Sequence, residues 1–183
     1  MEQTNASTLE NQIEPQYIIS ANKFALLCFI TFGFYNAWWF YKSWRFFQQK
    51  ENTDLAPAIR TIFGIVFMIP LFYRIINLAK RNGYDKTYSP VLLYILYLVA
   101  ILFSYLPNPY WLISAFTFII LLPPFKALNF ARLQNVTYNP IEQKSFNGRQ
   151  IFLIVIGSLF WILILISTFV LVLANDEYNY EAY

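Results

Sequence analysis

Four basic side chains are the best candidates in this chain for binding an anionic group. Arg60 and Arg74 flank a run of thirteen uncharged residues, and Lys42 and Arg45 follow a long apolar and aromatic stretch. Guanidinium and ammonium groups in such places can bind the phosphate of a lipid headgroup or an anionic partner. Long basic side chains at the ends of apolar runs also extend to a membrane surface without binding a specific ligand. The sequence leaves both interpretations open for all four residues.

Catalytic and metal-binding signatures are absent from the sequence. The 183 residues include no histidine, and the single cysteine, Cys28, lies inside an apolar run. The chain therefore lacks the commonest general base and the commonest metal ligand, and it can form no internal disulfide. It also contains no glycine-rich phosphate loop and no Ser-His arrangement. We expect no catalytic residue, no cofactor and no metal site, although composition does not exclude an enzyme.

The composition is that of a membrane protein. Hydrophobic residues make up 58% of the chain and charged residues only 13%, against about 25% charged residues in an average soluble domain. The net charge of +3 is too small to indicate nucleic-acid binding. We therefore expect membrane lipids as partners, together with a protein partner or a second copy of the chain, and no nucleic acid.

The first apolar segment, about 22–47, ends in a collar of aromatic and basic residues. Because Trp and Tyr rings favour the boundary between hydrocarbon and headgroups, this collar and a second aromatic group predict interfacial anchors. The predicted anchors are Trp38, Trp39, Tyr41, Trp44, Tyr110 and Trp111. The same cluster could instead line a groove for lipid or for a partner. Gly33 lies in the middle of the segment and predicts either a kink or a re-entrant turn.

The second apolar segment is too short to cross a bilayer. As a helix, the thirteen uncharged residues 61–73 would cover about 20 Å, less than the ~30 Å of a hydrocarbon core. Pro70 is expected to bend this segment. We therefore predict a short re-entrant or interfacial segment here.

The remaining apolar residues predict a helical hairpin and a final crossing helix. Residues 87–125 contain no charge, and Pro107-Asn108-Pro109 divides them into two arms. Ser89 and Pro90 are typical of a helix start, and Gly83 of a helix end. Pro123 and Pro124 are expected to end or kink the second arm. Residues 150–175 form an uncharged run of 26 residues, long enough to span a membrane.

Together these segments predict an all-α, polytopic helical membrane protein. It would have about four membrane crossings plus the short segment near 61–73. The expected regions are a polar N-terminal tail (1–20), a single helical membrane domain (21–175) and an acidic C-terminal tail (176–183). Within the domain, the expected segments are about 22–47, 59–81, 89–106, 109–122 and 150–174.

The basic residues predict an orientation. Loops 42–60, 74–86 and 126–149 carry twelve of the thirteen Lys and Arg residues, and basic loops usually stay in the cytoplasm. The Pro107–Pro109 turn and the C-terminus would then face outward. If Gly33 is only a kink, the N-terminus also faces outward, and if it marks a re-entrant turn, the N-terminus stays inside. The acidic start of the chain and the aromatic end of the first segment do not fit a cleaved signal peptide.

Several motifs resemble a known group of proteins. They are Thr31-x-Gly33-x-Tyr35-x-x-x-Trp39-x-Tyr41-Lys42, Pro57-x-x-Arg60-x-x-Phe63 and Pro107-x-Pro109-Tyr110-Trp111. With them the chain resembles, over residues 17–174, an uncharacterised family of small bacterial multipass inner-membrane proteins. The resemblance implies a multipass protein of the bacterial cytoplasmic membrane, and it implies no catalytic residues.

Two classes of function are consistent with these observations. The first is a non-enzymatic integral membrane protein that acts through protein partners or lipids, in an accessory, envelope or immunity-type role. The second is a small oligomeric transporter or channel, in which Asn36, Arg60 and Arg74 would face a wet interior. Because no Asp or Glu lies inside an apolar run, an intramembrane ion or proton site is not indicated, and we favour the first class.

Overall fold

The computed structural model describes residues 13–54 and 56–181, except for the side chains of 172 and 174–181. Residues 1–12 of the predicted N-terminal tail and residues 182–183 of the predicted C-terminal tail therefore lie outside the described residues. Most of the described chain is helical, as expected for an all-α fold. The α-helices are α1 (Ala21–Ile30), α2 (Phe34–Glu51), α3 (Pro57–Ile62), α4 (Gly64–Arg81), α5 (Pro90–Leu102), α6 (Phe118–Leu133) and α7 (Gly148–Glu181). The 3-10 turns are Phe103–Tyr105, Tyr110–Thr117 and Val136–Tyr138, and the strands are β1 (Gln16–Ile18) and β2 (Pro140–Glu142).

The first apolar segment is a helical hairpin. The centroids of the Phe24 and Trp39 rings are 5.8 Å apart, whereas fifteen residues of straight helix would separate them by about 22 Å. The chain reverses at Phe32 and Gly33, both of which have positive φ. At Gly33 the φ of +87° suits a residue without a Cβ. Of the two alternatives that the sequence leaves open at Gly33, a kink and a turn, the structure contains the turn.

The second apolar segment is divided at Phe63 into α3 and α4. α4 buries a stripe of residues with helical spacing, including Met68, Leu71, Phe72 and Ile75. Pro70 lies inside α4 without ending it. As the sequence predicts, this helix ends shortly before Gly83, which has a φ of +88°.

The first arm of the hairpin around Pro107–Pro109 begins at the residue that the sequence predicts. Ser89 caps α5, since its hydroxyl accepts a hydrogen bond from the Leu92 amide, and Pro90 is the first helical residue. The second arm, predicted over 109–122, is longer than expected. It begins as the 3-10 turn Tyr110–Thr117 and continues as α6 to Leu133. Pro123 and Pro124 lie within α6. The fully buried Pro124 is held by tertiary packing, which compensates for the missing backbone hydrogen bonds.

Two helical stretches among the described residues are long and apolar enough to cross a membrane. They are Tyr110–Leu133 and Gly148–Leu171, each of 24 residues, or about 36 Å of ideal helix. α7 presents large apolar side chains outward along most of its length, among them Phe152, Leu163 and Phe169. Contiguous exposed apolar surface of this kind indicates membrane association.

α7 crosses α1 closely at Gly157. A Cβ on Gly157 would lie 2.5 Å from the carbonyl oxygen of Ile30, so only glycine permits this approach. One turn later, Trp161 stacks on Phe29 and Phe32 with ring centroids 4.6 and 4.7 Å away. The indole of Trp161 also donates to the carbonyl oxygen of Phe29 at 3.2 Å. These contacts position the first half of α7 beside the end of α1 and the turn at Phe32.

The N-terminal segment 13–20 is structured rather than a free tail. β1 and β2 pair in parallel, with Tyr17 opposite Ile141. The side chain of Asn129 donates to the carbonyl oxygen of Ile19 at 3.0 Å, and the backbone amide of Gln143 donates to the carbonyl oxygen of Ile18 at 2.9 Å. The segment is thereby held against α6 and the loop before α7. We call residues 13–20 the strap.

Candidate ligand-binding cavity

A cavity of about 870 Å³ lies between the strap, α2, α6 and the first turns of α7. Its volume falls within the range of about 300–1,000 Å³ that is typical of small-molecule sites. Six of its lining residues are aromatic, and we call them the aromatic wall: Phe34, Tyr35, Trp38, Trp39, Phe125 and Phe152. Other lining residues carry basic or amide side chains, including Lys42, Arg45, Asn129, Arg132, Gln143 and Arg149. A lining that combines both kinds of side chain is typical of a site for an amphiphilic molecule.

Local hydrogen bonds fix the aromatic wall. The hydroxyl of Thr31 donates to the carbonyl oxygen of Leu27 at 2.7 Å and accepts from the amide of Tyr35 at 3.0 Å, so it joins the end of α1 to the start of α2. The side-chain amide of Gln150 donates to the Tyr35 hydroxyl at 3.3 Å. Asn147 and Gln150 cap each other at the start of α7. The N-terminus of α7 is consequently held against the cavity, where its dipole favours negative charge.

One carboxylate meets two of the basic groups at the cavity. Glu14, in the strap, forms an ion pair with Arg45 and lies 3.9 Å from the Lys42 ammonium group. Arg45 also donates to the Tyr41 hydroxyl at 3.1 Å. Both basic residues are among those that the sequence predicts as headgroup or partner contacts, and both line the cavity.

Arg132 is the most unusual residue of the cavity. It is only 5% exposed, and its Nε and Nη2 atoms have no hydrogen-bond partner among the described residues. Its guanidinium carbon lies 4.6 Å from the centroid of the Phe46 ring. The sequence treats this arginine only as one of the basic loop residues. The signal that could have identified it is its spacing from Leu121, Phe125 and Leu128, which places a charge on the buried stripe of α6.

One aromatic neighbour of Phe46 outside the cavity is Tyr138. Its ring meets the Phe46 ring edge-on, with centroids 5.2 Å apart. Burial raises the pKa of the Tyr138 phenol above its usual value, and the Asn135 side chain partly opposes that effect. Tyr138 is therefore a neutral group that supports the position of Phe46 beneath Arg132.

The other predicted contact residues, Arg60 and Arg74, lie outside the cavity. Both stack on the indole of Trp44, with their guanidinium carbons 4.5 Å and 5.7 Å from its centroid. Arg74 also forms an ion pair with Glu51. The structure therefore brings these two arginines together, as the sequence suggests, but at an aromatic residue of the core. Asn36 is buried elsewhere on α2, so the three residues expected to line a wet pathway do not share the cavity.

The predicted interfacial anchors divide into two groups. Trp38 and Tyr110 are exposed, and Tyr41 and Trp111 are partly exposed. Trp39 and Trp44 are only 5% and 0% exposed, so they belong to the core and not to the surface of the protein. They lie on the helical stripe by which α2 packs into the core, together with Phe40 and Phe47.

A second, smaller cavity of about 300 Å³ lies between Trp111 and α7, at the turn of the proline hairpin. The Trp111 indole donates to the side-chain oxygen of Asn108 at 2.9 Å. This cavity carries no charged side chain among its lining residues. Within the described part of the chain, no group of three or more His, Cys, Asp or Glu side chains is arranged to hold a metal ion.

Comparisons of the chain with protein-family models, with curated proteins and with solved structures found no match. The resemblance to small bacterial inner-membrane proteins therefore stays a prediction based on the motifs of the first apolar segment and the proline hairpin.

Proposed function

We propose that this is a non-enzymatic integral membrane protein that acts by holding a lipid-like amphiphile in the cavity beside α2. The observation that carries the proposal is that both aromatic side chains and basic or amide side chains line the cavity. An amphiphile satisfies both, because its apolar chain covers the aromatic rings while its head binds the polar groups. Such a protein acts through its lipid or through a protein partner, as an accessory, envelope or immunity-type component.

The proposal includes a multipass arrangement in a bacterial cytoplasmic membrane. α1 and α2 enter and leave on the cytoplasmic side, α4 lies at that interface, and α5, α6 and α7 cross. This gives three crossings instead of about four, since the first apolar segment turns back at Gly33. Two features support it: the turn at Asn108 lies within the uncharged stretch 87–125, and the basic loops carry twelve of the thirteen Lys and Arg residues. The cavity would then open at the cytoplasmic headgroup layer.

A photocrosslinking amino acid at Phe152 tests the proposed function. Phe152 lines the cavity and is 63% exposed, so irradiation of membranes should attach the molecule that occupies the cavity. Mass spectrometry of the purified adduct should show one predominant class of amphiphile.

Phe169 provides the matched control. It is on the same helix, is equally exposed at 63%, and does not line either cavity. A photocrosslinker there should capture lipids in proportion to the surrounding bilayer. Identical lipid distributions at the two positions would show that the cavity selects nothing, and a protein adduct at Phe152 would replace the lipid by a protein partner.

A further inference from the structure

The guanidinium group of Arg132 has no ion-pair partner among the described residues. Among them, ion pairs form at Lys42, Arg45 and Arg74, while Nε and Nη2 of the buried Arg132 are left without a hydrogen-bond partner. The contact with the Phe46 ring offers a cation–π attraction, which is weaker than pairing with an anion. Because a buried, unpaired charge is strongly unfavourable, its presence at a cavity indicates an anionic ligand.

The surroundings of Arg132 favour the same conclusion. The cavity is also lined by Lys42, Arg45 and Arg149, and Glu14 is the one acid among its described lining residues. Glu14 is already engaged with Lys42 and Arg45, so it does not neutralise Arg132. The N-terminus of α7 faces the cavity as well and adds the positive end of a long helix dipole. The lining of the cavity therefore has an excess of positive charge.

The aromatic wall distinguishes a lipid from a free anion. A free phosphate would use only the basic groups and would leave Trp38, Phe34 and Phe152 without an apolar ligand. A lipid with a phosphate head uses both kinds of side chain. Arginine suits this head in particular, because its planar guanidinium can donate two parallel hydrogen bonds to a phosphate.

We propose that Arg132 binds the phosphate of an anionic lipid, whose apolar chain lies against the aromatic wall of the cavity. This assignment rests on the proposed function and adds the charge class of the ligand and the residue that selects it. It also moves the headgroup site from Arg60 and Arg74, which the sequence suggests, to a residue on α6.

Native mass spectrometry of the full chain in detergent tests the assignment. The protein is titrated separately with phosphatidylglycerol, with phosphatidylcholine and with inorganic phosphate. The wild type should prefer phosphatidylglycerol over phosphatidylcholine, and inorganic phosphate at equal concentration should not displace the lipid. Arg132→Gln should weaken phosphatidylglycerol binding by about tenfold or more, as expected from the loss of a charge-assisted hydrogen bond, and should leave phosphatidylcholine binding unchanged.

Further variants separate binding from folding. Lys126→Gln removes an exposed charge six residues earlier on α6, outside the cavity, and should bind like the wild type. Arg132→Lys keeps the charge but loses the paired donors, so its affinity should lie between those of the wild type and Arg132→Gln. If Arg132→Gln unfolds in detergent, Arg149→Gln at the same cavity should still lower phosphatidylglycerol affinity several-fold.

The possible failures are distinguishable. Equal binding of both lipids, unaffected by Arg132→Gln, would overturn the assignment but leave the proposed function intact. Displacement of the lipid by inorganic phosphate would replace the lipid by a free anion. Loss of phosphatidylglycerol in Arg60→Ala/Arg74→Ala but not in Arg132→Gln would place the headgroup at Trp44. A folded protein that binds neither lipid would contradict both the assignment and the proposed function.

Discussion

At the residue scale, the basic side chains of this protein differ in what they contact. Lys42 and Arg45 pair with the strap carboxylate of Glu14, Arg60 and Arg74 stack on a core tryptophan, and Arg132 is buried without a hydrogen-bond partner at Nε or Nη2 among the described residues. These five basic residues therefore have three different kinds of surroundings. Pairing with a carboxylate leaves Lys42 and Arg45 less available to a ligand than Arg132.

Replacing Glu14 by glutamine should strengthen the binding of an anionic lipid. The carboxylate of Glu14 offers Lys42 and Arg45 the same chemistry as the ligand, so the two compete for these cations. Since an exposed ion pair contributes about 0.2–1 kcal/mol, the affinity should rise by up to about fivefold. Native mass spectrometry with phosphatidylglycerol measures the change.

Glu51→Gln is the control for this substitution. It removes the ion pair with Arg74, outside the cavity, and should leave the lipid affinity unchanged. Weaker binding by Glu14→Gln than by Glu51→Gln would mean that Glu14 holds the cavity together and does not compete with the ligand.

At the scale of the elements, two glycines allow the helices to meet. Gly33 takes the positive φ that reverses the chain between α1 and α2, and Gly157 allows α7 to approach Ile30. The hairpin places Tyr35 and Trp39 beside α1, and the crossing brings the start of α7 to the same region. The cavity exists because these elements converge there.

Gly157→Ala should destabilise the protein. The added Cβ would lie 2.5 Å from the Ile30 carbonyl oxygen, so α7 must move away from α1, at a cost of about 1–3 kcal/mol for overpacking. The midpoint of thermal unfolding in detergent should fall accordingly. Lipid binding should weaken too, because the first turns of α7 line the cavity.

Gly64→Ala is a matched control, since a Cβ at Gly64 meets no atom within 4 Å. Alanine favours a helix over glycine by about 1 kcal/mol, so this variant should be at least as stable as the wild type. An unfolding midpoint for Gly157→Ala equal to that of Gly64→Ala would rule out the close crossing of α7 and α1.

At the scale of the whole molecule, the hairpin at Gly33 decides the side of the membrane on which the strap lies. The strap contacts Arg45 and the loop before α7, both of which belong to the basic regions of the sequence. If the molecule sits in a membrane as we propose, the strap and the basic loops share the cytoplasmic side.

Single cysteines tested with an impermeant maleimide on intact cells should reveal this arrangement. Asn108→Cys should react from outside, whereas Tyr17→Cys in the strap and Thr87→Cys before α5 should react only after permeabilisation. All three positions are exposed. The parent protein, whose only cysteine is the buried Cys28, serves as the unreactive control. Reaction of Tyr17→Cys from outside would mean that the first apolar segment crosses the membrane.

Local sequence patterns correctly predicted several helix ends and the apolar run of the last helix. The capping of α5 by Ser89, the helix end near Gly83 and the apolar run of α7 all depend on neighbouring residues, and all are present. The bounds of α6 were missed because packing around Pro124 outweighs the local preference of proline. The burial of Trp39 and Trp44 was not predicted because a tryptophan suits a membrane boundary and a packed core equally well.

The helical, apolar character of this protein follows from its sequence, and so does the cluster of basic and aromatic residues at its first hydrophobic segment. The turn within that segment, and the meeting of Arg132 with Lys42 and Arg45 around one cavity, are visible only in the folded molecule. The difference arises from distance along the chain. Composition and helix signals act over a few residues, whereas the cavity unites groups from the strap, α2, α6 and α7, which only close packing of distant segments brings together.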